Sequence, residues 1–297
     1  MLVGPSCERS RPSKTGTIAA MSLPERISAD RRLRLIVVAG SITIIVVAVA
    51  MFVGGWLLRQ DEVPIGLDWI GYRRGWERLV TTGTPYQAFQ LAGPYTPEHL
   101  DFIHPPSFLP LVAPFTILPS PFDYIAWMAV PTALTILLLR RLAWWAWPVV
   151  AILAITPNTL ITYINGNSSM WFAAAFGWSL YIGWSAGLIA MKPSLAILGL
   201  PGFVRDPRGT AILVAIPLMA TLPFLATWAD WVTILTNAEG LGPFYSLVQW
   251  TVFTIVALPW ITTRGVDRYR SWQDGRRDGR RDRDGQAVAT GNPDGVG

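Results

Sequence analysis

The sequence predicts an all-α protein: a polytopic bundle of transmembrane helices with about eight spans and an amphipathic surface helix in its first outer loop. Three observations predict it. Of 297 residues, 52% are hydrophobic and only 14% are charged, against about a quarter charged in ordinary soluble domains. Apolar runs of roughly 17–25 residues, the length that crosses about 30 Å of hydrocarbon, recur between residues 35 and 262. The fifteen tryptophans cluster near the ends of these runs, where interfacial aromatic belts form.

The N-terminal tail, 1–34, is polar and holds seven Lys/Arg against three acids; it is predicted to be disordered and cytoplasmic. The single cysteine, Cys7, lies in it, which excludes a disulfide framework or a cysteine metal site within one chain. Leu35–Leu58 is the first span. Arg31, Arg32 and Arg34 just before it place the N-terminus inside. The run is too long for a signal-peptide core, and no small-residue cleavage site follows it.

The loop 59–104 is predicted to lie outside. Within it Trp69, Tyr72, Trp76, Leu79 and Val80 recur at helical spacing, while Arg73, Arg74, Glu77 and Arg78 fill the other face. That pattern predicts an amphipathic helix on the membrane surface, ended by the turn Gly83-Thr84-Pro85-Tyr86. Asp68, at its start, reads either as an N-cap or as a carboxylate at the water–lipid boundary suited to general-base work.

Pro105–Leu118 is short and broken by Pro110 and Pro114. Phe122–Leu139 is a clear span, and Ala143–Ile164 is another, interrupted by Pro148 and Pro157. Met170–Gly183 and Ala186–Phe203 form a close pair, followed by Thr210–Thr227 and Phe244–Ile261. The transmembrane domain is thus 35–262. Counting Pro105–Leu118 as a crossing gives eight spans, two cytoplasmic tails and the basic turn Arg205–Arg208 inside, with Arg140 and Arg141 outside. Counting it as re-entrant gives seven and sends the C-terminal arginines outside, so eight spans violates the charge rule less. The tail 263–297 carries eight Arg against six acids among Gly and Asp and is predicted to be disordered. The excess of basic charge sits on the two tails, while the loop 59–104 holds four Arg against six acids; this speaks for membrane orientation and against a nucleic-acid face.

There is no GxxxxGK[ST] loop and no glycine dinucleotide fingerprint. No cofactor is expected. With two histidines, His99 and His104, a His-rich metal site is excluded, and Asp68, Glu98 and Asp101 lack metal-ligand spacing.

Four motifs in order resemble glycosyltransferase family 87, polytopic mannosyltransferases of the GT-C class that use polyprenyl-phosphate sugars. They are Asp68…Tyr72…Gly83-Thr84-Pro85-Tyr86; Phe102-Ile103-His104-Pro105-Pro106 with Leu111, Pro114, Leu118 and Pro119; Asn165-Gly166-Asn167; and Gly187-Leu188 with Met191-Lys192-Pro193. The chain resembles a short member of that family, since about three apolar segments follow Lys192. The resemblance implies transfer of a hexose, mannose first among them, from a polyprenyl-phosphate donor to an envelope lipid or glycan at the outer membrane face, with inversion and with Asp68 as the base.

Lys192 is the sole lysine beyond the N-terminal tail. It lies in an apolar stretch with no acid at helical spacing. It reads as a cation for the donor's phosphate, or as a snorkelling side chain. Arg73, Arg74 and Arg78 read as a solvated face. His104, Tyr72, Tyr86, Asn165 and Asn167 are the expected substrate contacts. The eight-span scheme leaves Asn165–Asn167 near the inner face, away from Asp68, unless the helix around Pro157 is broken. The alternative reading is a non-catalytic membrane protein: a lipid carrier, a transporter or a partner subunit. A transporter would place more ionisable groups near the bilayer midplane.

Overall fold

A computed structural model describes residues 30–57, 65–98, 100–240, 249–265, 267 and 271. Their regular structure is helical, with one isolated parallel bridge between Tyr95 and Ala238. The helices are α1 (Arg31–Leu57), α2 (Leu67–Thr82), α3 (Ala88–Ala92), α4 (Leu109–Thr116), α5 (Phe122–Leu139), α6 (Trp147–Ala154), α7 (Pro157–Ile164), α8 (Ser169–Ile182), α9 (Ala186–Ala190), α10 (Leu200–Arg205), α11 (Pro207–Ala220) and α12 (Ala226–Asn237). A last helix, α13, covers 250–265. Apart from 30–34, 263–265, 267 and 271, the tails predicted to be disordered lie outside the described residues.

Among the described residues α1 and α5 are long and apolar enough to cross a membrane. The pair α6–α7, bent by 68°, passes the same test as one broken span. The bend follows from sequence: Thr156 caps α7, accepting from Thr159 N at 3.4 Å, and Pro157 takes its first position. α1 is apolar all round. Leu35, Ile36, Ile44, Val46 and Met51 are exposed on it, as on a helix solvated by lipid.

The indole hydrogen bonds set the register of the bundle. Trp171 Nε1 donates to Trp127 O at 3.1 Å and Trp178 Nε1 to Leu134 O at 3.2 Å, so α5 and α8 run side by side in one direction. α13 runs with them: Gln249 meets Ser169 at its start, and Val256 packs on Gly177, where a Cβ would lie 2.6 Å from Leu138. α11 runs the other way, from Asp206 beside Gly183 to Pro217 beside Pro105 and Ser107. The bundle therefore has two distinct ends. One gathers the start of α2, the first loop, the 165–168 turn and the start of α13. The other gathers Arg140, Arg141, Gly183, Arg205 and the end of α13.

Three expectations change. Pro105–Leu118 does not run from end to end. It begins at His104, which meets Ser168, and finishes at Pro119, whose carbonyl accepts from Phe122 N and Asp123 N beside α2. Ala186–Phe203 is not one helix either. Pro193 disfavours the helical conformation for the residue before it, and Lys192 is extended (φ −119°, ψ 93°). The chain then turns back through a 3₁₀ segment, Pro193–Gly199, so that Gly199 returns beside Ala186 and Gly202 beside Gly183. Finally, most of the apolar face of α2 is covered by protein rather than lying open for lipid; Val80 stays exposed. Trp69, Tyr72 and Leu79 are buried with Phe102, Phe108, Trp127 and Phe172 in the main core. The expected span Phe244–Ile261 falls within α13 from residue 250 onward; 241–248 lie outside the described residues.

Candidate active site

Asp68 is the second residue of α2. The cap position is Gly66, in the left-handed conformation and with no side-chain cap, so Asp68 is not an N-cap. The start of α2 is instead hung on the turn that follows α7. Gly66 N donates to Ile164 O at 2.8 Å, and Asp68 N and Trp69 N donate to Asn165 O at 2.9 and 3.2 Å. This places the Asp68 side chain beside Asn167, whose Nδ2 donates to Asp68 Oδ2 at 2.6 Å. Gly166 makes the turn with φ +67°; an added Cβ would stand 3.0 Å from both Trp69 and Tyr124. Trp127 Nε1 fixes its carbonyl at 2.8 Å. The 165–167 turn therefore sits at the Asp68 end, where the bent pair α6–α7 finishes.

Asp68 opens onto a cavity of about 730 Å³. Its wall includes Tyr72, Glu98, Asp101, His104, Asn158, Asn165, Asn167, Lys192 and Gln249. Lys192, at the tip of the 186–205 hairpin, is buried, with its Nζ 5.7 Å from the centre of the Phe172 ring. Asp68 lies close enough for the two charges to attract. Sequence spacing finds no acid near Lys192 because this partner comes from another part of the chain.

A chain of hydrogen bonds links Tyr72, Ser168 and His104 at the wall. Ser168 N donates to the Tyr72 hydroxyl at 3.2 Å, and that hydroxyl donates to Ser168 Oγ, also at 3.2 Å. Ser168 Oγ then lies 3.4 Å from His104 Nε2. Burial, and after it the positive Lys192, hold the His104 ring well below its ordinary range, so it is neutral. The neutral ring has one nitrogen that donates and one that accepts, so it can join the Ser168 hydroxyl to the cavity.

Of the residues expected to form a site, Asp68, Tyr72, His104, Asn165, Asn167 and Lys192 share this cavity. Tyr86 does not line it: the side chain is buried, and its hydroxyl donates to the His104 carbonyl at 2.9 Å. Arg73 is not merely solvated; it pairs with Glu77 at 2.9 Å and with buried Asp123 at 3.0 Å. Sequence reasoning missed Gln249, the polar start of an apolar run, and Ser168, whose neighbour Asn167 alone was singled out. His99 lies outside the described residues. Among those described, no group of three His, Cys, Asp or Glu side chains is placed to hold a metal ion.

The fold and cavity define a helical protein that sets a carboxylate against a lysine at the end of an apolar bundle. The profile of glycosyltransferase family 87 matches residues 102–255, 154 of the 297 residues, and the chain belongs to that family. Membership indicates a glycosyltransferase, with a sugar donor and an acceptor as substrates. The matched stretch carries His104, Asn165, Asn167, Lys192 and Gln249; Asp68 and Tyr72 precede it. No curated protein and no solved structure matches the chain.

Proposed function

We propose that the protein transfers a hexose, mannose by its family resemblance, from a polyprenyl-phosphate donor to an envelope lipid or glycan at the outer face of the cell membrane. The observation that carries this reading is the facing of Asp68 and Lys192 across one cavity. Asp68 takes the proton from an acceptor hydroxyl as that oxygen bonds to the anomeric carbon. The bond from that carbon to the phosphate oxygen breaks on the opposite side, and its electron pair leaves with the phosphate. The configuration inverts. Lys192 neutralises the departing phosphate, and the neutral His104 offers it a hydrogen bond. Attraction between Asp68 and Lys192 holds both side chains towards the reaction path until the phosphate takes over Lys192.

The same reading orients the bundle. α1, α5, the bent pair α6–α7, α8, α11 and α13 make six crossings. The segments 105–118 and 186–205 re-enter, from opposite sides. This arrangement puts Arg31, Arg140, Arg141, Arg205, Arg208 and Arg264 on one side, which the positive-inside rule makes the cytoplasm. Both termini are then cytoplasmic and the Asp68 end is outside. All arginine-rich turns agree, which neither the seven-span nor the eight-span count achieves.

The test is incubation of purified protein with radiolabelled polyprenyl-phosphate mannose and an envelope lipid extract, with labelled nucleotide sugar in a parallel reaction. Labelled product from the lipid-linked donor alone is expected. Donor binding without product would favour the lipid carrier or partner subunit, and product from the nucleotide sugar alone would overturn the donor assignment.

A further inference from the structure

Asn167 joins α7 to α8, and both ends of its side-chain amide are engaged. Oδ1 accepts from Ser169 N, the first amide of α8, at 2.8 Å, while Nδ2 donates to Asp68 Oδ2 at 2.6 Å. An amide whose carbonyl end is taken by a backbone N–H has one orientation, so the N–H end must face the carboxylate. The turn that carries it is held independently. Asn167 N donates to Thr162 O at 3.0 Å, and Trp127 Nε1 holds the Gly166 carbonyl at 2.8 Å. Ser169 Oγ continues the network to Gln249 at the start of α13. Five segments of the chain thus converge on the orientation of one carboxylate.

We propose that Asn167 is a positioning residue for Asp68 rather than a contact for the sugar: it keeps the carboxylate ionised and fixes the plane in which it meets the acceptor hydroxyl. The proposal rests on the reading of Asp68 as the base. The other charged and titratable groups on the cavity wall are Lys192 from the 186–205 hairpin, Glu98, Asp101 and His104 from the first loop, and Tyr72 from α2. All of these stay in place when residue 167 alone is changed, so a shift in the titration that limits the rate belongs to Asn167.

Asn167→Asp separates positioning from structure. The new carboxylate still accepts from Ser169 N, so the start of α8 is kept, but a donor towards Asp68 becomes a second negative charge. Transfer from labelled polyprenyl-phosphate mannose is followed against pH. The acid limb is expected to move up by about one unit in Asn167→Ala, which loses one hydrogen bond to the carboxylate, and further in Asn167→Asp, where two carboxylates share a site. At the high-pH plateau kcat falls while the donor KM stays near that of the wild type. A second measurement needs no substrate: Asn167→Asp lowers the melting temperature, and adding Asp68→Asn, which restores one donor facing one acceptor, recovers most of the loss. An unmoved acid limb in both single variants, or no recovery in the double variant, would overturn the positioning role. Full turnover in Asp68→Asn alone would instead remove the base assignment beneath it.

Discussion

The Arg73 guanidinium meets the buried Asp123 carboxylate at 3.0 Å, tying α2 to the first turn of α5. The same oxygen accepts from Trp69 Nε1 at 3.1 Å. Asp68 and Trp69 are adjacent, so this anchor sets where the start of α2 sits over the cavity. Asp123→Ala strips the Trp69 indole of its acceptor and leaves Arg73 with Glu77. A loss of about 1–3 kcal/mol is expected for a buried hydrogen bond to a charged group. Arg73 contributes the smaller share, because its side chain is 36% exposed and partly screened by water. Thermal unfolding in detergent measures the loss, and an unchanged melting temperature would refute the anchor.

Stability should depend on pH through His104. Its folded-state pKa is depressed by burial and then by Lys192, from the ordinary 6.5. The unfolded chain therefore takes up a proton at this ring as pH falls through about 6.5, and the folded chain does not. The stabilisation is complete above that value and is lost progressively below it. The melting temperature is expected to decline as pH falls below about 6.5, with a shallower decline in His104→Gln. Identical profiles for the two proteins would show that His104 titrates freely.

Much of this was legible in the sequence, and the failures have identifiable causes. α1 and α5 emerged with nearly their observed bounds, because an uninterrupted apolar run with an arginine or proline boundary has few alternatives. The helical spacing of Trp69, Tyr72 and Leu79 was read correctly, but periodicity does not say whether lipid or protein covers a face. Here Phe102, Phe108 and Trp127 cover it, and they arrive from other segments. The break at Lys192 was written in Pro193, yet the apolar composition around it suggested a continuous span. Asp123 reads as the polar start of a helix; nothing local announces that Arg73 and Trp69 meet it. The eight-span count leaves the 165–167 turn near the inner face because it treats each apolar run as one full crossing. The segments 105–118 and 186–205, each of which turns back towards the end where it starts, change that count.

The orientation proposed for the bundle makes a labelling prediction. Single cysteines in the turns at 140–143 and 205–208, and in the tail after Arg264, are expected to react only after the membrane is permeabilised. Cysteines at exposed positions of α12 and of the 93–98 loop should react in intact cells. The 140–143 turn discriminates best: the eight-span count put it outside, and reaction there in intact cells would refute six crossings with two re-entrant segments.

Lys192 distinguishes a phosphate-binding cation from a purely structural one. Lys192→Met is expected to weaken binding of polyprenyl-phosphate mannose and to slow transfer strongly, since a cation facing phosphate in a water-poor site contributes several kcal/mol to the transition state. Lys192→Arg should keep part of both. Equilibrium binding of the labelled donor to each variant is the direct measurement. Unchanged affinity and turnover in Lys192→Met would leave Lys192 as a companion of Asp68 alone.

The central claim is that the Asp68 carboxylate removes the acceptor's proton. Asp68→Asn keeps the size of the side chain and its place beside Asn167 but removes the base. The measurement is the initial rate of label transfer from polyprenyl-phosphate mannose by purified wild type and Asp68→Asn, compared at equal folded concentration. A fall of about two to four orders of magnitude, with a melting temperature close to wild type, is the predicted result. Turnover in Asp68→Asn within a few-fold of wild type would contradict the account.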